Sequence, residues 1–280
     1  MHTTVKDIIL MLNEIAPPSL AEEWDNCGLQ AGDLSWPVNK ILVSLDVSMA
    51  VMNHAANSHA DLVISHHPLM LRAPKSIDFA IMPGSAIAVS AQRRISIASV
   101  HTSLDKVEGG LNDFFASILG LKNIKPLVLS DHCIGTGKFG MNGIGRTGKL
   151  ERIVSLQEMA LYVKKKFELS TIRMAGKPDL MVNRVALCTG SGGSLLRDFL
   201  RSGTDVYITG DIKYHEAREI EQAGLGLIDL GHFASEQIAV ELLSEKLKNA
   251  AVEKGMSLEI EGFDKDFDPF ITIYNIVEEC

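Results

Sequence analysis

The segment ADLVISHHPLML, Ala60 to Leu71, holds an apolar strand, Asp61 to Ser65, that runs straight into His66-His67-Pro68. Its successive Leu, Val and Ile, with no polar residue between them, predict a strand buried on both faces, as in a parallel sheet covered by helices. Outward from it the pattern repeats. Lys40 to Asp46 (KILVSLD) predicts a strand, Ser48 opens a helix to about Ser58, and Gly84 to Arg93 predicts another helix. Arg94 to Val100 (RISIASV) predicts a third strand, ending in His101, and Asn112 to Leu119 a helix. Upstream, an amphipathic helix from Val5 to Ile15 is stopped by Pro17 and Pro18, and a turn-rich segment, Glu22 to Gly28, follows.

Between Lys125 and Leu150 the character changes, with Gly135, Gly137, Gly140, Gly143, Gly145 and Gly148 crowded together. That density predicts tight turns, short strands and a domain junction. Alternation then resumes: helix Leu156 to Phe167, strand Arg184 to Cys188, helix Ser194 to Arg201, strand Asp205 to Thr209, helix Tyr214 to Ala223, strand Gly226 to Leu230, and a long helix from Ser235 to about Ala250. Leu258 to Glu261 and Phe270 to Tyr274 read as closing strands. The expected fold is α/β, two similar interlocked subdomains with mixed, largely parallel sheets. Residues 1–125 together with 226–280 form the first and 126–225 the second.

The 27 Lys and Arg against 35 Asp and Glu leave a formal net charge of −8, which argues against a general nucleic-acid binder. The N-terminus lacks a basic n-region and a small-residue cleavage site, and no apolar run approaches the roughly 20 residues that span a bilayer. Cys27, Cys133, Cys188 and Cys280 are scattered without a CxxC pair, as expected of free thiols in a reducing compartment. The expectation is a soluble, cytoplasmic protein with no membrane contact.

Three strands end in metal-ligand residue types: VISHHP (His66, His67), IASVHTSLD (His101, Asp105) and LIDLGHFASE (His232, Glu236). Ligands of open α/β sheets gather outside the carboxyl ends of strands, so this coincidence predicts a metal site. Asp105 follows His101 by four residues and Glu236 follows His232 by four, a spacing that shares one face of a helical turn. Mixed imidazole and carboxylate ligands suit Zn, Fe, Mn or Co without choosing among them. Carboxylates can also bridge two ions about 3.5–4 Å apart.

These segments, with EEWDNCGLQAG (Glu22 to Gly32), SLDVS (Ser44 to Ser48), GIGRTGKL (Gly143 to Leu150), CTGSGGS (Cys188 to Ser194) and ITGDIKYHEARE (Ile208 to Glu219), resemble the NIF-three-like family, also known as the GTP cyclohydrolase I type 2 family. The resemblance implies His66, His67, Asp105, His232 and Glu236 as ligands of two divalent transition-metal ions. It places His101 beside them as a further ligand or a base, and His215 in the same cavity, both as candidate catalytic residues. It further implies a toroidal homohexamer, with no inserted third domain at this length.

Other signals are weaker. Gly143-Ile-Gly-Arg-Thr-Gly148-Lys149 nearly completes a P-loop, but Leu150 lacks the hydroxyl that would hold Mg²⁺. Asp264-Lys-Asp266-Phe-Asp268 lacks the glycine and closing Glu of a calcium loop. Gly190-Ser-Gly-Gly193 serves equally as a phosphate cradle or as tight strand-to-helix packing. Trp24-Asp25-Asn26 either folds over the site or simply packs Trp24. The functional expectation is a metal-dependent hydrolase acting on a small molecule, with purine ring opening of GTP, or of another nucleotide, implied by the resemblance. The alternative is a metal-handling or protein-interaction factor without turnover.

Overall fold

A computed structural model describes residues 2–130 and 141–273. Two sheets organise the chain. The first, five-stranded, runs β1-β4-β3-β2-β11, where β1 is Gly28–Ala31, β2 Lys40–Ser44, β3 Leu62–Ser65, β4 Ser96–Ser99 and β11 Glu259–Gly262. All its pairs are parallel except β1 with β4. The second, six-stranded, runs β5-β6-β8-β9-β10-β7, from β5 (Lys122–Leu129), β6 (Gly143–Ser155), β7 (Arg173–Ala175), β8 (Met181–Ser191), β9 (Val206–Gly210) and β10 (Gly226–Asp229). There β8, β9 and β10 are parallel, while the outer pairs are antiparallel. Both sheets are therefore mixed.

The uninterrupted apolar strands are explained by burial on both sides. In the first sheet Ile41, Val43, Leu62 and Ile64 face a core built with Ile8, Met11 and Leu12 of α1 (Val5–Ile15) and Leu243 and Leu247 of α10 (Ile238–Glu253). The alternate residues Leu42 and Val63 face α2 (Met49–Asn57) and α3 (Gly84–Arg93) through Met52 and Ala86. The period of two along a strand requires that division. The second sheet repeats it. Val185, Leu187, Val206 and Ile208 meet α6 (Leu156–Lys166), whereas Ala186, Cys188 and Tyr207 meet Phe199 of α7 (Leu196–Arg201) and Ile220 of α8 (Tyr214–Gln222).

The halves interlock through α5 (Leu111–Ile118), whose Leu111 enters the first core and whose Phe115 enters the second, and through Ile238, which touches both. The buried Arg146 adds a polar clamp. Its guanidinium donates Nε and Nη2 to the two carboxylate oxygens of Asp113 at 2.7 Å each, and Nη1 to the carbonyls of Gly143 and Gly145. Paired and fully hydrogen-bonded, it avoids the cost of an isolated buried charge.

Several expectations change. The glycine-rich stretch holds not short strands but the 13-residue β6, paired with β5 on one side and β8 on the other. Its glycines answer to crowding: a Cβ on Gly143 would lie 2.2 Å from the Val128 carbonyl oxygen. Gly135, Gly137 and Gly140 lie outside the described residues. The strand expected at Phe270 to Tyr274 does not form over 270–273, and residue 274 lies outside the described residues. The short edge strands β1 and β7 had no sequence signal. Position 226, expected as the return to the first half, opens β10 of the second sheet, and the chain rejoins the first half through α10 and β11. Among the described residues, no helix is long and apolar enough to cross a membrane.

Candidate metal centre

The parallel ladder of the first sheet brings its imidazoles together. Ser65 stands opposite Ser44 on one side and Ser99 on the other, so the carboxyl ends of β2, β3 and β4 lie level. The ladder continues past β3, with His66 N–H donating to the Ser44 carbonyl and His67 N–H to the Leu45 carbonyl. His101, two residues beyond β4, ends beside them: its ring centroid is 5.2 Å from His66 and 5.5 Å from His67. His101 then caps α4 (Thr102–Lys106), which turns Asp105 back so that its Oδ1 lies 3.7 Å from His66 Nε2.

The second sheet delivers its ligands by the same device. After β10, Gly231 adopts φ +90°, a conformation that suits glycine, and α9 (His232–Glu236) begins. His232 Nε2 and Glu236 Oε2 are 2.8 Å apart across its single turn. The same oxygen is 2.8 Å from His67 Nε2, so one carboxylate joins the two halves. His66 Nε2 is 3.9 Å from the other Glu236 oxygen. Two groups could each hold an ion, His66 with His67 and His101, and His67 with His232 and Glu236; within each, the donor atoms lie within 4.8 Å of one another.

Each imidazole is oriented by its far nitrogen. His66 Nδ1 donates to the Val100 carbonyl at 3.0 Å, His67 Nδ1 to Asp46 at 2.9 Å, His101 Nδ1 to Asp25 at 2.9 Å, and His232 Nδ1 to Asp211 at 2.8 Å. Carbonyl and carboxylate oxygens only accept, so Nδ1 carries a proton in each ring, and Nε2, which in His67 and His232 faces Glu236, is the nitrogen that would meet an ion in place of a second proton. Asp25 is further fixed by the N–H and hydroxyl of Thr102.

The electrostatics fit a cation. His66 Nε2 and Asp105 Oδ1 are buried with no hydrogen-bond partner, a costly arrangement that an ion between them relieves. Burial, with the Glu236 charge adding to it, raises the Asp105 pKa. Burial also opposes ionisation of Glu236, but His232, His66 and His67 outweigh it and hold its pKa well below the usual range. Burial disfavours the charged form of His67, yet Asp46 and Glu236 raise its pKa to about 10. Hydrogen bonding to Glu236, only partly opposed by burial, raises His232 to about 9. Without an ion, protons take the place of the positive charge.

A cavity of about 390 Å³ opens over the centre, with His67, His101, Asp105, His232 and Glu236 in its wall. A second, of about 590 Å³, shares His67 and His232 and adds Asp46 and Asp211. Six of the seven residues singled out in the sequence thus converge. His215 does not: it is exposed at the start of α8, its ring against Tyr214, and lines neither cavity. At the start of α8, five residues past the end of β9, it is absent from the wall of the cavity where it was expected.

Sequence reasoning missed Asp25, Asp46 and Asp211 as orienting carboxylates. Asp46 and Asp211 stand just beyond β2 and β9, next to the strands that supply His67 and His232, so strand-end position was an available signal. It also missed why Gly190 is glycine: φ is +63°, and a Cβ would strike Glu236 Oε1 at 2.1 Å. In the same loop, Cβ atoms on Gly192 and Gly193 would meet Thr209 and Glu216, which favours tight packing over a phosphate cradle.

Similarity to known proteins agrees with this layout. The profile of the Duf34/NIF3 (NGG1p interacting factor 3) family matches residues 3–269. A protein of Clostridium acetobutylicum called GTP cyclohydrolase 1 type 2 homolog is 32% identical over 270 residues, covering 96% of this chain and 99% of its own length. The fold matches the crystal structure of a Staphylococcus aureus hypothetical protein with a TM-score of 0.89 at 27% identity, over 98% of this chain and 100% of the other. It also matches reduced HcgD from Methanocaldococcus jannaschii with a TM-score of 0.75 at 27% identity, over 94% and 99%. By profile, sequence and fold, the chain belongs to the Duf34/NIF3 family.

Proposed function

We propose that the protein is a metal-dependent hydrolase of a small molecule, with hydrolytic opening of the purine imidazole ring of GTP and release of formate as the reaction to test first. The observation that carries this reading is the convergence of four Nδ1-anchored imidazoles on two buried carboxylates at the wall of an open cavity. The name of the Clostridium relative supports the choice of substrate.

His66, His67, Asp105, His232 and Glu236 are the residues to hold the metal, two ions in the proposed form, drawn from Zn, Fe, Mn or Co. Bound divalent ions supply Lewis-acid polarisation and lower the pKa of water. His101, locked by Asp25 and facing the cavity, is placed to take or return a proton at Nε2 as well as to act as a ligand. Asp46 and Asp211 keep His67 and His232 aimed. A homo-oligomer, in the proposed form a toroidal hexamer, is supported by exposed Phe79, Ile81, Phe270, Ile271 and Ile273.

One observation favours the second reading, metal handling or partner binding without turnover. Arg173 is the one lysine or arginine lining either cavity among the described residues, and it is paired with Asp229. A triphosphate finds no free lysine or arginine there. Metal-loaded protein incubated with GTP separates the readings: formate release abolished by His67→Ala supports the hydrolase. Tight metal binding with no turnover of any nucleotide supports the second reading.

A further inference from the structure

Trp24 is more than half exposed, yet its turn is pinned at both ends. Asp25 N–H donates to the Glu22 carbonyl to close the turn. Glu22 is tied to Thr102 and Lys106, and Asp25 to His101 and Thr102. The turn is thus fixed at the cavity wall, with the indole edge to face with His101 at 5.9 Å between ring centres. Pro68, Leu71, Ile144 and Leu195 complete an apolar collar around the same opening. An exposed indole on a fixed turn beside apolar side chains is a stacking surface for a planar ring.

A second observation also points to a ligand. Thr189 lines this cavity with 5% of its surface exposed, and its buried Oγ1 has no hydrogen-bond partner. A buried hydroxyl left unpaired costs free energy that a ligand's polar edge can recover. Among the described residues, the cavity's wall carries no lysine or arginine.

We infer that this cavity recognises a planar nitrogen heterocycle, a nucleobase or a ring of similar shape, through stacking on Trp24 and a hydrogen bond to Thr189, with no contribution from phosphate. The inference rests on the proposed hydrolase only in taking this cavity as the substrate site.

The test uses the full-length protein with Trp36→Phe, which leaves Trp24 as the remaining tryptophan of two, and follows its fluorescence. Guanosine, GTP and inorganic tripolyphosphate are titrated into metal-free and metal-loaded protein. Guanosine and GTP are expected to quench with Kd values within about threefold of each other in the metal-free protein, and tripolyphosphate to leave the signal unchanged. Calorimetry on Trp24→Ala in the otherwise native chain is expected to show guanosine bound about tenfold more weakly, with Trp24→Phe within about threefold. Thr189→Val is expected to weaken guanosine while leaving purine riboside, which lacks the exocyclic groups, within about twofold. Equal guanosine affinity in Trp24→Ala, competition by tripolyphosphate, or no saturable binding of guanosine, adenosine or cytidine overturns the inference. Ring binding without turnover leaves it standing while the hydrolase reading fails. Turnover of a non-aromatic substrate untouched by Trp24→Ala does the reverse.

Discussion

The two halves of the molecule meet at one centre but hold their imidazoles by different means. In the five-stranded half His66 is fully buried and its Nδ1 rests on a backbone carbonyl, so its aim is set by the sheet itself. In the six-stranded half the His232 side chain is 38% exposed and depends on Asp211, itself 48% exposed. His67 lies between, 23% exposed and held by Asp46. The difference teaches that one half supplies a rigid floor and the other an adjustable rim, with Glu236 as the group common to both.

Removing that common group should have the largest effect. Glu236→Ala is expected to weaken metal binding by more than about 100-fold, beyond the range for an outer partner, as read by competitive metal titration. Retained affinity would break the comparison at its hinge. The orienting carboxylates come next. Asp46→Asn is expected to cost about 10–100-fold in metal affinity, and Asp211→Asn about tenfold, because the two carboxylates are similarly exposed but His67, at 23%, is more enclosed than His232, at 38%. The reverse order would mean that the rim, not the floor, organises the site.

Protonation gives a third test. In the metal-free protein the folded-state pKa values of His67 (about 10) and His232 (about 9) lie above the unfolded value of about 6.5. The stability from imidazolium–carboxylate pairing is then complete below that unfolded value and is lost as pH rises through about 9 and 10. The melting temperature of metal-free protein should fall across this window. Metal loading at pH 8 should release protons, and calorimetry in buffers of different ionisation enthalpy counts them. No release would show that the imidazoles are already neutral.

Gly190→Ala is a smaller perturbation, expected to lower stability by about 1–3 kcal/mol through the left-handed backbone and the contact with Glu236, as measured by urea unfolding. Smallest of all, His215→Ala should leave metal affinity unchanged and stability within about 0.5 kcal/mol.

How legible these features were in the sequence also divides by half. The strands β2, β3 and β4 announce themselves because both faces are buried and their apolar runs are continuous. Their carboxyl ends could therefore be aligned without a structure, and His66, His67 and His101 with them. The long β6 was hidden because glycines at 143, 145 and 148, which mark turns elsewhere, here relieve contacts with neighbouring strands. β1 and β7 are three or four residues long and take their structure from a neighbour, not from local pattern. Asp25 lies in a loop whose path no periodicity encodes, so its bond to His101 is a purely tertiary fact. His215, a catalytic candidate, is exposed at the start of α8 and lines neither cavity, which residue type alone does not reveal.

The account depends on side chains from both sheets enclosing one ion-binding space. Anomalous diffraction from crystals of metal-loaded protein, collected on either side of the metal's absorption edge, measures this directly. The predicted result is a peak at coordination distance, about 2.0–2.2 Å, from Nε2 of His67, Nε2 of His232 and the Glu236 carboxylate. Peaks confined to surface residues such as His215, or no peak after loading, would contradict it.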